Sequence, residues 1–137
     1  MITQYGVLAW KASEGGERRI LLITSRETKR WVIPRGNPIA GLSPSQAAAQ
    51  EAWEEAGIRG ETGQVEVGAY RYEKRRLGGS MVPAEVRVFA MEVTEEADSW
   101  PEQGERERRW FSAADAAAAV DEPELKAILE SAGREPA

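Results

Sequence analysis

The chain of 137 residues contains no cysteine and no histidine. The absence of cysteine excludes disulfide bonds and thiol chemistry. The absence of histidine removes the commonest general base at neutral pH and the usual zinc ligand. Any chemistry must therefore depend on carboxylates, hydroxyl groups, lysine, arginine, tyrosine and bound metal ions.

Long apolar segments are also missing. No apolar run approaches the roughly 18 residues that span a bilayer, so we expect no membrane association. The N-terminus has no basic segment followed by an apolar stretch, so we expect no signal peptide and a cytoplasmic location. The net charge of −5 argues against a nucleic acid polymer as partner. We expect one domain over residues 1–137 and leave its oligomeric state open.

Alternating and continuous apolar patterns predict short strands, and capped alanine-rich or amphipathic patterns predict helices. The strands are expected over 2–12, 18–24, 31–34, 66–75, 84–93 and 106–111, and the helices over 44–56, 113–120 and 123–132. Turn residues between neighbouring strands predict two hairpins, one formed by the first two strands and one by the fourth and fifth. This order is typical of an α+β domain with a mixed sheet. The tail over 134–137 is expected to be frayed.

The first helix carries its own start and stop signals. Ser43 can accept from a free amide of the first turn, and Pro44 suits the first helical position. Gln46 completes a capping box, and Gly57 can adopt the left-handed conformation that ends a helix. The small residues on one face can pack closely against a sheet; they are Ser45, Ala48, Ala49, Ala52 and Ala56.

Three glutamates lie on another face of this helix, at positions 51, 54 and 55. Glu51 and Glu55 are one turn apart, where like charges repel. A divalent cation between them would reverse the sign, since magnesium prefers carboxylate oxygens completed by water and substrate phosphates. The simpler interpretation is a solvated acidic face.

Four cations precede the acidic helix: Arg26, Lys29, Arg30 and Arg35. Arginine holds phosphate oxygens through two hydrogen bonds, and lysine acts as a point charge. The group therefore suggests a phosphate clamp, with ordinary loop solvation as the alternative. A second basic cluster follows at Lys74, Arg75 and Arg76.

The order of glycine loop, capped helix and glutamates resembles the Nudix box. In that motif a glycine and a glutamate precede the sequence Arg-Glu-apolar-any-Glu-Glu-any-Gly-apolar. The matching positions are Gly36, Glu51, Ala52, Glu54, Glu55, Gly57 and Ile58. Two positions depart from the motif, because Leu42 replaces its first glutamate and Gln50 replaces its arginine.

The resemblance implies an α/β/α sandwich and a metal-dependent phosphohydrolase that cleaves a phosphoanhydride. It implies that Glu51 and Glu55 bind Mg²⁺ or Mn²⁺, with the carbonyl of Gly36 as a further ligand. Glu54 is then the expected general base, since no histidine is present, and Glu85 is the alternative. The four cations would hold the phosphates of a small polyphosphate substrate.

Segments outside the box are similar to the diphosphoinositol polyphosphate phosphohydrolase branch, which also includes enzymes that cleave diadenosine polyphosphates. They are the segments 24–26, 30–34 and 106–111, with the Asp115-Ala116 pair after them. Tyr70, Tyr72 and Trp10 are candidates for stacking on a nucleobase. Two other functions stay open: a Nudix-like module that binds a nucleotide or polyphosphate without turnover, supported by Leu42 and Gln50, and a purely structural domain.

Overall fold

A computed structural model describes residues 1–134 of the chain. The strands are β1 Ile2–Ala12, β2 Arg18–Thr24, β3 Trp31–Val32, β4 Arg35–Gly36, β5 Ile58–Thr62, β6 Gly68–Arg75, β7 Met81–Glu96 and β8 Arg108–Ser112. The helices are α1 Pro44–Ala56, α2 Ala113–Ala119 and α3 Pro123–Arg134, with a short 3₁₀ helix at Gln103–Glu105. Residues 135–137 of the tail that was expected to be frayed lie outside the described residues.

The strands form one mixed sheet with the central order β3-β2-β1-β7-β5. β1 and β7 are parallel, with Ile2 opposite Ala84 and Trp10 opposite Glu92, and the other pairs are antiparallel. β7 occupies one edge of β1 along nearly its whole length, so β2 and β4 share the other edge. Both predicted hairpins, β1–β2 and β6–β7, are confirmed.

Helices cover both faces of this sheet. Val7 and Ala9 of β1 point to the side where α1 packs through Ala48 and Ala52. Leu8 between them points to the opposite side, where α2 and α3 pack. The alternation of side chains along a strand thus serves two separate cores. The predicted α+β fold with an α/β/α sandwich is confirmed.

Helix α1 begins and ends as its sequence predicts. Ser43 Oγ accepts from the Gln46 amide, and the Gln46 side chain accepts from the Ser43 amide at 2.9 Å. Gly57 has φ +67° and donates its N–H to the carbonyl of Trp53 at 2.9 Å. Four of the five predicted face residues are buried, and Ala49 packs against the core while half-buried. These local signals determine which turn of the helix carries Glu51 and Glu55.

Several boundaries differ from the predictions. β5 was not predicted, and β7 extends beyond both ends of the predicted 84–93 strand. β3 ends at Val32, and 35–36, expected to be a loop, is β4 paired with Tyr5 and Gly6. Pro34 separates the two short strands because it has no N–H to donate. Smaller shifts affect β6, which starts at Gly68, β8, which starts at Arg108, and α3, which passes through Gly133.

No helix within residues 1–134 is long and apolar enough to cross a membrane.

Candidate active site

A cleft of about 530 Å³ opens between helix α1 and the loops at one end of the sheet. α1 contributes Glu51 and Glu55, and β4 contributes Arg35 and Gly36. The 25–30 loop and the β6–β7 hairpin contribute further lining residues, and Arg106 lies next to Glu55. Elements far apart in the chain therefore place acidic and basic groups around one space.

Glu55 is the most deeply buried carboxylate of the cleft, with 7% of its surface exposed. Its Oε1 accepts the backbone N–H of Arg35 at 3.2 Å, and its Oε2 lies 3.8 Å from Nη2 of Arg106. Burial raises the pKa of Glu55 to about 8, although Arg106 and the Arg35 amide act in the opposite direction. The site therefore contains a carboxylate whose negative charge the protein neutralises only in part.

Glu51 lies one helical turn before Glu55 on α1, and both side chains line the cleft. Burial raises the pKa of Glu51, and the charges of Glu54 and Glu102 raise it further. Gly36 is in direct contact with the Glu51 side chain, and a β-carbon at residue 36 would overlap it. The backbone of β4 can approach the carboxylate pair this closely only because residue 36 has no side chain.

This arrangement fits a hard divalent cation. Nearby positive charge compensates the negative charge of the Glu51 and Glu55 carboxylates only in part. The backbone of β4 at Gly36 lies directly against the Glu51 side chain. Magnesium typically takes one or two protein carboxylates and completes its shell with water and substrate phosphates. Within residues 1–134, no three acidic side chains form a group that could hold a metal alone, so the candidate set is this pair with the Gly36 backbone.

Neither candidate for the general base, Glu54 or Glu85, is among the described residues that line the cleft. Glu54 accepts a hydrogen bond from Nε2 of Gln50 at 2.8 Å, and its charge acts on Glu51. Glu85 lies near two arginines, 4.0 Å from Arg71 and 3.8 Å from Arg87. The role of either glutamate stays a prediction.

Three of the four cations predicted as a phosphate clamp line the cleft, namely Arg26, Arg30 and Arg35. Lys29 is not among the lining residues; its Nζ donates to the carbonyl of Glu105 at 3.3 Å. Arg26 lies 3.5 Å from the Glu105 carboxylate. Arg30 donates to Oε2 of the buried Glu122 at 2.8 Å.

Arg35 is fixed by two tyrosines. Its Nη1 donates to the Tyr70 hydroxyl at 3.1 Å, and its Cζ lies 3.9 Å from the ring centroid of Tyr72. Burial lowers the pKa of this guanidinium, but Tyr70, Tyr72 and Glu122 outweigh that effect, and the net pKa is raised. Arg35 is thus a permanent, oriented positive charge in the cleft wall.

The comparisons with known proteins agree with this geometry. The family model of the NUDIX domain matches residues 3–131. The chain belongs to the Nudix family. Nudix hydrolase 12, mitochondrial, of Arabidopsis thaliana is 32% identical over an alignment of 104 residues that covers 71% of this chain and 49% of that protein. Diphosphoinositol polyphosphate phosphohydrolase 3-alpha of Mus musculus is 31% identical over 106 residues, 76% of this chain and 60% of that protein. The chain thus spans about half the length of the first curated relatives it matches.

Solved Nudix structures share the fold at lower identity. An Ap4A hydrolase of C. elegans in a binary complex has a TM-score of 0.68 at 19% identity and covers 95% of this chain and 93% of its own. The NUDIX domain of Shewanella oneidensis NrtR, complexed with ADP ribose, has a TM-score of 0.70 at 12% identity, and the match covers 98% of this chain and 88% of that one. Some curated relatives carry mitochondrial or chloroplastic names, so the cytoplasmic location stays a prediction.

The two departures from the Nudix box are not among the described residues that line the cleft. Gln50 keeps a hydrogen bond to Glu54, as a donor at that position can. Leu42 is 40% exposed and lines a shallow groove with Trp53 on another side of α1.

Sequence reasoning missed other residues of the cleft, including Gln4 and Arg106. Arg106 was assigned to a strand, yet it donates to the Glu102 carboxylate at 2.9 Å and to the Thr24 carbonyl at 3.2 Å. Lys74 and Arg75 were noticed as a basic cluster, which was the available signal, but not as cleft residues.

Proposed function

We propose that this Nudix domain is a divalent-metal-dependent phosphohydrolase that cleaves a phosphoanhydride bond of a small nucleoside or inositol polyphosphate. The observation that carries the proposal is the adjacent Glu51–Glu55 pair at the base of a cleft whose walls carry arginines. A carboxylate pair beside oriented cations suits a substrate that brings both phosphate groups and a metal ion. The substrates named for the curated relatives support the same class of reaction.

Glu51, Glu55 and the carbonyl of Gly36 are the groups that would hold Mg²⁺ or Mn²⁺. When bound, such an ion supplies charge neutralisation for the phosphates and lowers the pKa of a coordinated water. Glu51 counts as catalytic for this reason. Glu55 is oriented for its role by the Arg35 amide and by Arg106, which hold its two oxygens from different sides.

The reaction adds water across a P–O–P linkage. The water oxygen forms a bond to one phosphorus, the bond from that phosphorus to the bridging oxygen breaks, and the second phosphate leaves with that oxygen. One proton of the water passes to a base, for which we propose Glu54; its side chain is not among the described ones that line the cleft, but its charge acts on Glu51, which does line it. Arg26, Arg30 and Arg35 hold phosphate oxygens and favour the charged transition state. Lys29, which contacts Glu105 as Arg26 does, adds its positive charge from outside the cleft lining.

A second candidate is a domain that binds the same ligands without turnover. The observation that favours it is the pair of departures from the box, Leu42 and Gln50. A fold can persist after its chemistry is lost, so the two functions need a measurement to separate them.

The experiment is phosphate and nucleotide release from a panel of phosphoanhydrides with magnesium, with manganese and with a chelator. We expect turnover of one substrate class that disappears with the chelator and in Glu51→Gln and Glu55→Gln. Glu61→Gln is the matched control, because Glu61 is an exposed glutamate of β5 outside the cleft lining. A Glu51→Gln protein with its full rate would refute the site. If no substrate of the panel is hydrolysed but the same ligands raise the unfolding temperature of the protein, the result would favour the domain that binds without turnover.

A further inference from the structure

The β6–β7 hairpin gives the cleft a second basic wall, in addition to the 25–30 loop. Lys74 and Arg75 line the cleft from β6, half-buried and exposed respectively. Within the described part of the chain, neither side chain has a hydrogen bond or an ion pair. Arg26 and Arg30, on the other wall, both contact carboxylates. The positive charge of the hairpin is therefore available to a ligand.

Positive charge outnumbers negative charge around the cleft, although the whole chain carries −5. The lining cations are Arg26, Arg30, Arg35, Lys74, Arg75 and Arg106. The lining carboxylates are Glu27, Glu51, Glu55 and Glu73. Two of these four are the proposed metal ligands, so the surplus suits a ligand with several phosphates spread over both walls.

The tryptophans, by contrast, are paired with cationic side chains. Each of the five tryptophans has a lysine or arginine between 3.7 and 4.9 Å from its ring centroid. The pairs are Trp10 with Arg18, Trp31 with Arg109, Trp53 with Arg59, Trp100 with Arg108 and Trp110 with Lys11. Within residues 1–134, no tryptophan side chain lines the cleft.

Tyr72 is the one aromatic residue among those that line the cleft. The Arg35 guanidinium covers a face of its ring, and its hydroxyl donates to Oε1 of Gln4 at 2.6 Å. Tyr70 is fully buried beneath it. Nucleobases are commonly bound by stacking on an open aromatic face. Of the three residues expected to offer one, Tyr70 and Trp10 do not line the cleft, and Arg35 covers one face of the Tyr72 ring.

We infer that the substrate is a base-free, densely phosphorylated anion that is recognised through its phosphates, with Lys74 and Arg75 as specificity-determining residues. The inference rests on the proposed function and narrows its substrate class. A phosphorylated polyol and a linear inorganic polyphosphate share this chemistry. Neither requires an aromatic platform, and both can bridge the hairpin wall and the 25–30 loop.

The test compares kcat/KM of the full chain, with magnesium, for a diphosphoinositol pentakisphosphate, linear tripolyphosphate and Ap4A. We expect at least one base-free substrate to be preferred over Ap4A by about tenfold or more, the worth of one charged hydrogen bond. The first two substrates distinguish the polyol from the inorganic source. In Lys74→Gln/Arg75→Gln we expect kcat/KM for the base-free substrate to fall by about 10-fold to 100-fold, mainly through KM.

Arg76→Gln is the matched control, since Arg76 is the next residue of the hairpin, is exposed and does not line the cleft. A higher kcat/KM for Ap4A, or an equal fall in kcat/KM in Arg76→Gln, would overturn the inference. Either result would still be consistent with the proposed hydrolase. If no substrate turns over, the proposed hydrolysis fails, and binding of inositol hexakisphosphate and Ap4A measured by calorimetry decides the inference. Tighter binding of the hexakisphosphate that depends on Lys74 and Arg75 would support it, and tighter Ap4A binding would overturn it.

Discussion

The α-carbon of Gly36 lies so close to the Glu51 side chain that a β-carbon on residue 36 would overlap it. β4 cannot easily retreat, because Gly36 is paired with Tyr5 of the central strand β1. We therefore expect Gly36→Ala to displace the Glu51 carboxylate and to lower kcat/KM. The free energy of unfolding should fall by only about 0.5–1.5 kcal/mol, the cost of an off-rotamer side chain, because the atoms that must move belong to the flexible, half-buried Glu51 side chain.

The measurements for Gly36→Ala are phosphate release and denaturant unfolding. Gly15→Ala is its control, since a β-carbon at that turn residue would meet no atom within 4 Å. Full activity in Gly36→Ala would show that the close approach of β4 to Glu51 is not needed for the site.

The second prediction concerns Glu55, whose pKa rises from 4.5 to about 8 in the folded, metal-free protein. An acid with a raised folded pKa contributes stability below its unfolded pKa and loses that contribution as the pH rises to the folded pKa. Glu55 should thus cost the metal-free protein stability between pH 4.5 and pH 8, on the order of a few kcal/mol at the upper end. We expect Glu55→Gln, in chelator, to be more stable than the parent at pH 8 and similar to it at pH 4.5.

Thermal unfolding across this pH range checks the prediction, with Glu61→Gln as the control for an exposed glutamate. Magnesium should reverse the order at pH 8, because the parent gains a ligand that the variant cannot hold. Parallel stability curves for parent and Glu55→Gln in chelator would contradict the assigned pKa.

Arg106 connects three parts of the site, and its removal is the third prediction. Its side chain is 10% exposed and contacts Glu55, Glu102 and the Thr24 carbonyl. Loss of one partner of a buried ion pair typically costs about 3–5 kcal/mol, because the remaining charge stays buried. We expect Arg106→Gln to lower the free energy of unfolding by that amount above pH 8, where Glu55 is ionised, and by less at neutral pH. Arg106→Lys should cost less than Arg106→Gln at either pH.

Urea unfolding measures the effect of Arg106→Gln. Arg19→Gln, at an exposed position of β2, should unfold at the same urea concentration as the parent. An Arg106→Gln protein that also matches the parent would mean that Glu55 and Glu102 do not depend on this cation.

The fourth prediction addresses the incomplete Nudix box. Leu42 and Gln50 line the shallow groove next to Trp53 and are not among the residues that line the cleft. Both positions are exposed, and an arginine at residue 50 can replace the hydrogen bond that Gln50 donates to Glu54 at 2.8 Å. Exposed substitutions that keep such a contact usually change energies by about 0.5 kcal/mol or less. We therefore expect the double substitution Leu42→Glu/Gln50→Arg to change kcat/KM by less than about threefold. A gain of tenfold or more, roughly 1.4 kcal/mol, would show that these positions do contribute to the chemistry.

Local signals were sufficient to predict α1 and the strands that line the two cores. The Ser43 capping box and Gly57 act within a few residues, so the register of Glu51 and Glu55 could be predicted. β5 was missed because it lies at the end of the central strand order and buries only Ile58 fully, which leaves no apolar alternation to detect. An edge strand of this kind is specified by its neighbour more than by its own pattern.

The cleft itself depends on pairings between distant parts of the chain. Arg106 meets Glu55 only because the residues before β8 hydrogen-bond to Thr24, and the hairpin cations meet α1 only through the pairing of β7 with β1. No spacing in the sequence encodes these distances. The occupation of Tyr72 by Arg35 is a further consequence of packing that composition alone could not reveal.

The last prediction tests how Arg30 is held in the cleft wall. Oε2 of Glu122 accepts from Nη1 of Arg30 at 2.8 Å, while its Oε1 is buried and has no hydrogen-bond partner within the described residues. The second carboxylate near Arg30, Asp121, is 3.8 Å away and its side chain is 75% exposed. Glu122 is therefore the positioning residue, and Glu122→Gln should leave the arginine without a buried countercharge.

If Arg30 holds a substrate phosphate, Glu122→Gln should raise KM severalfold and change kcat less, because the loss affects binding rather than the reacting groups. Asp121→Asn removes the exposed carboxylate near the same arginine and should leave KM unchanged. A purely structural role for Glu122 would instead lower stability in Glu122→Gln while the KM of the remaining folded protein stays at the parent value. Steady-state kinetics at a temperature well below the unfolding transition of all three proteins separates these outcomes. An equal change of KM in both variants would contradict the prediction, because it would mean that Arg30 acts only through its charge and makes no positioned contact with a phosphate.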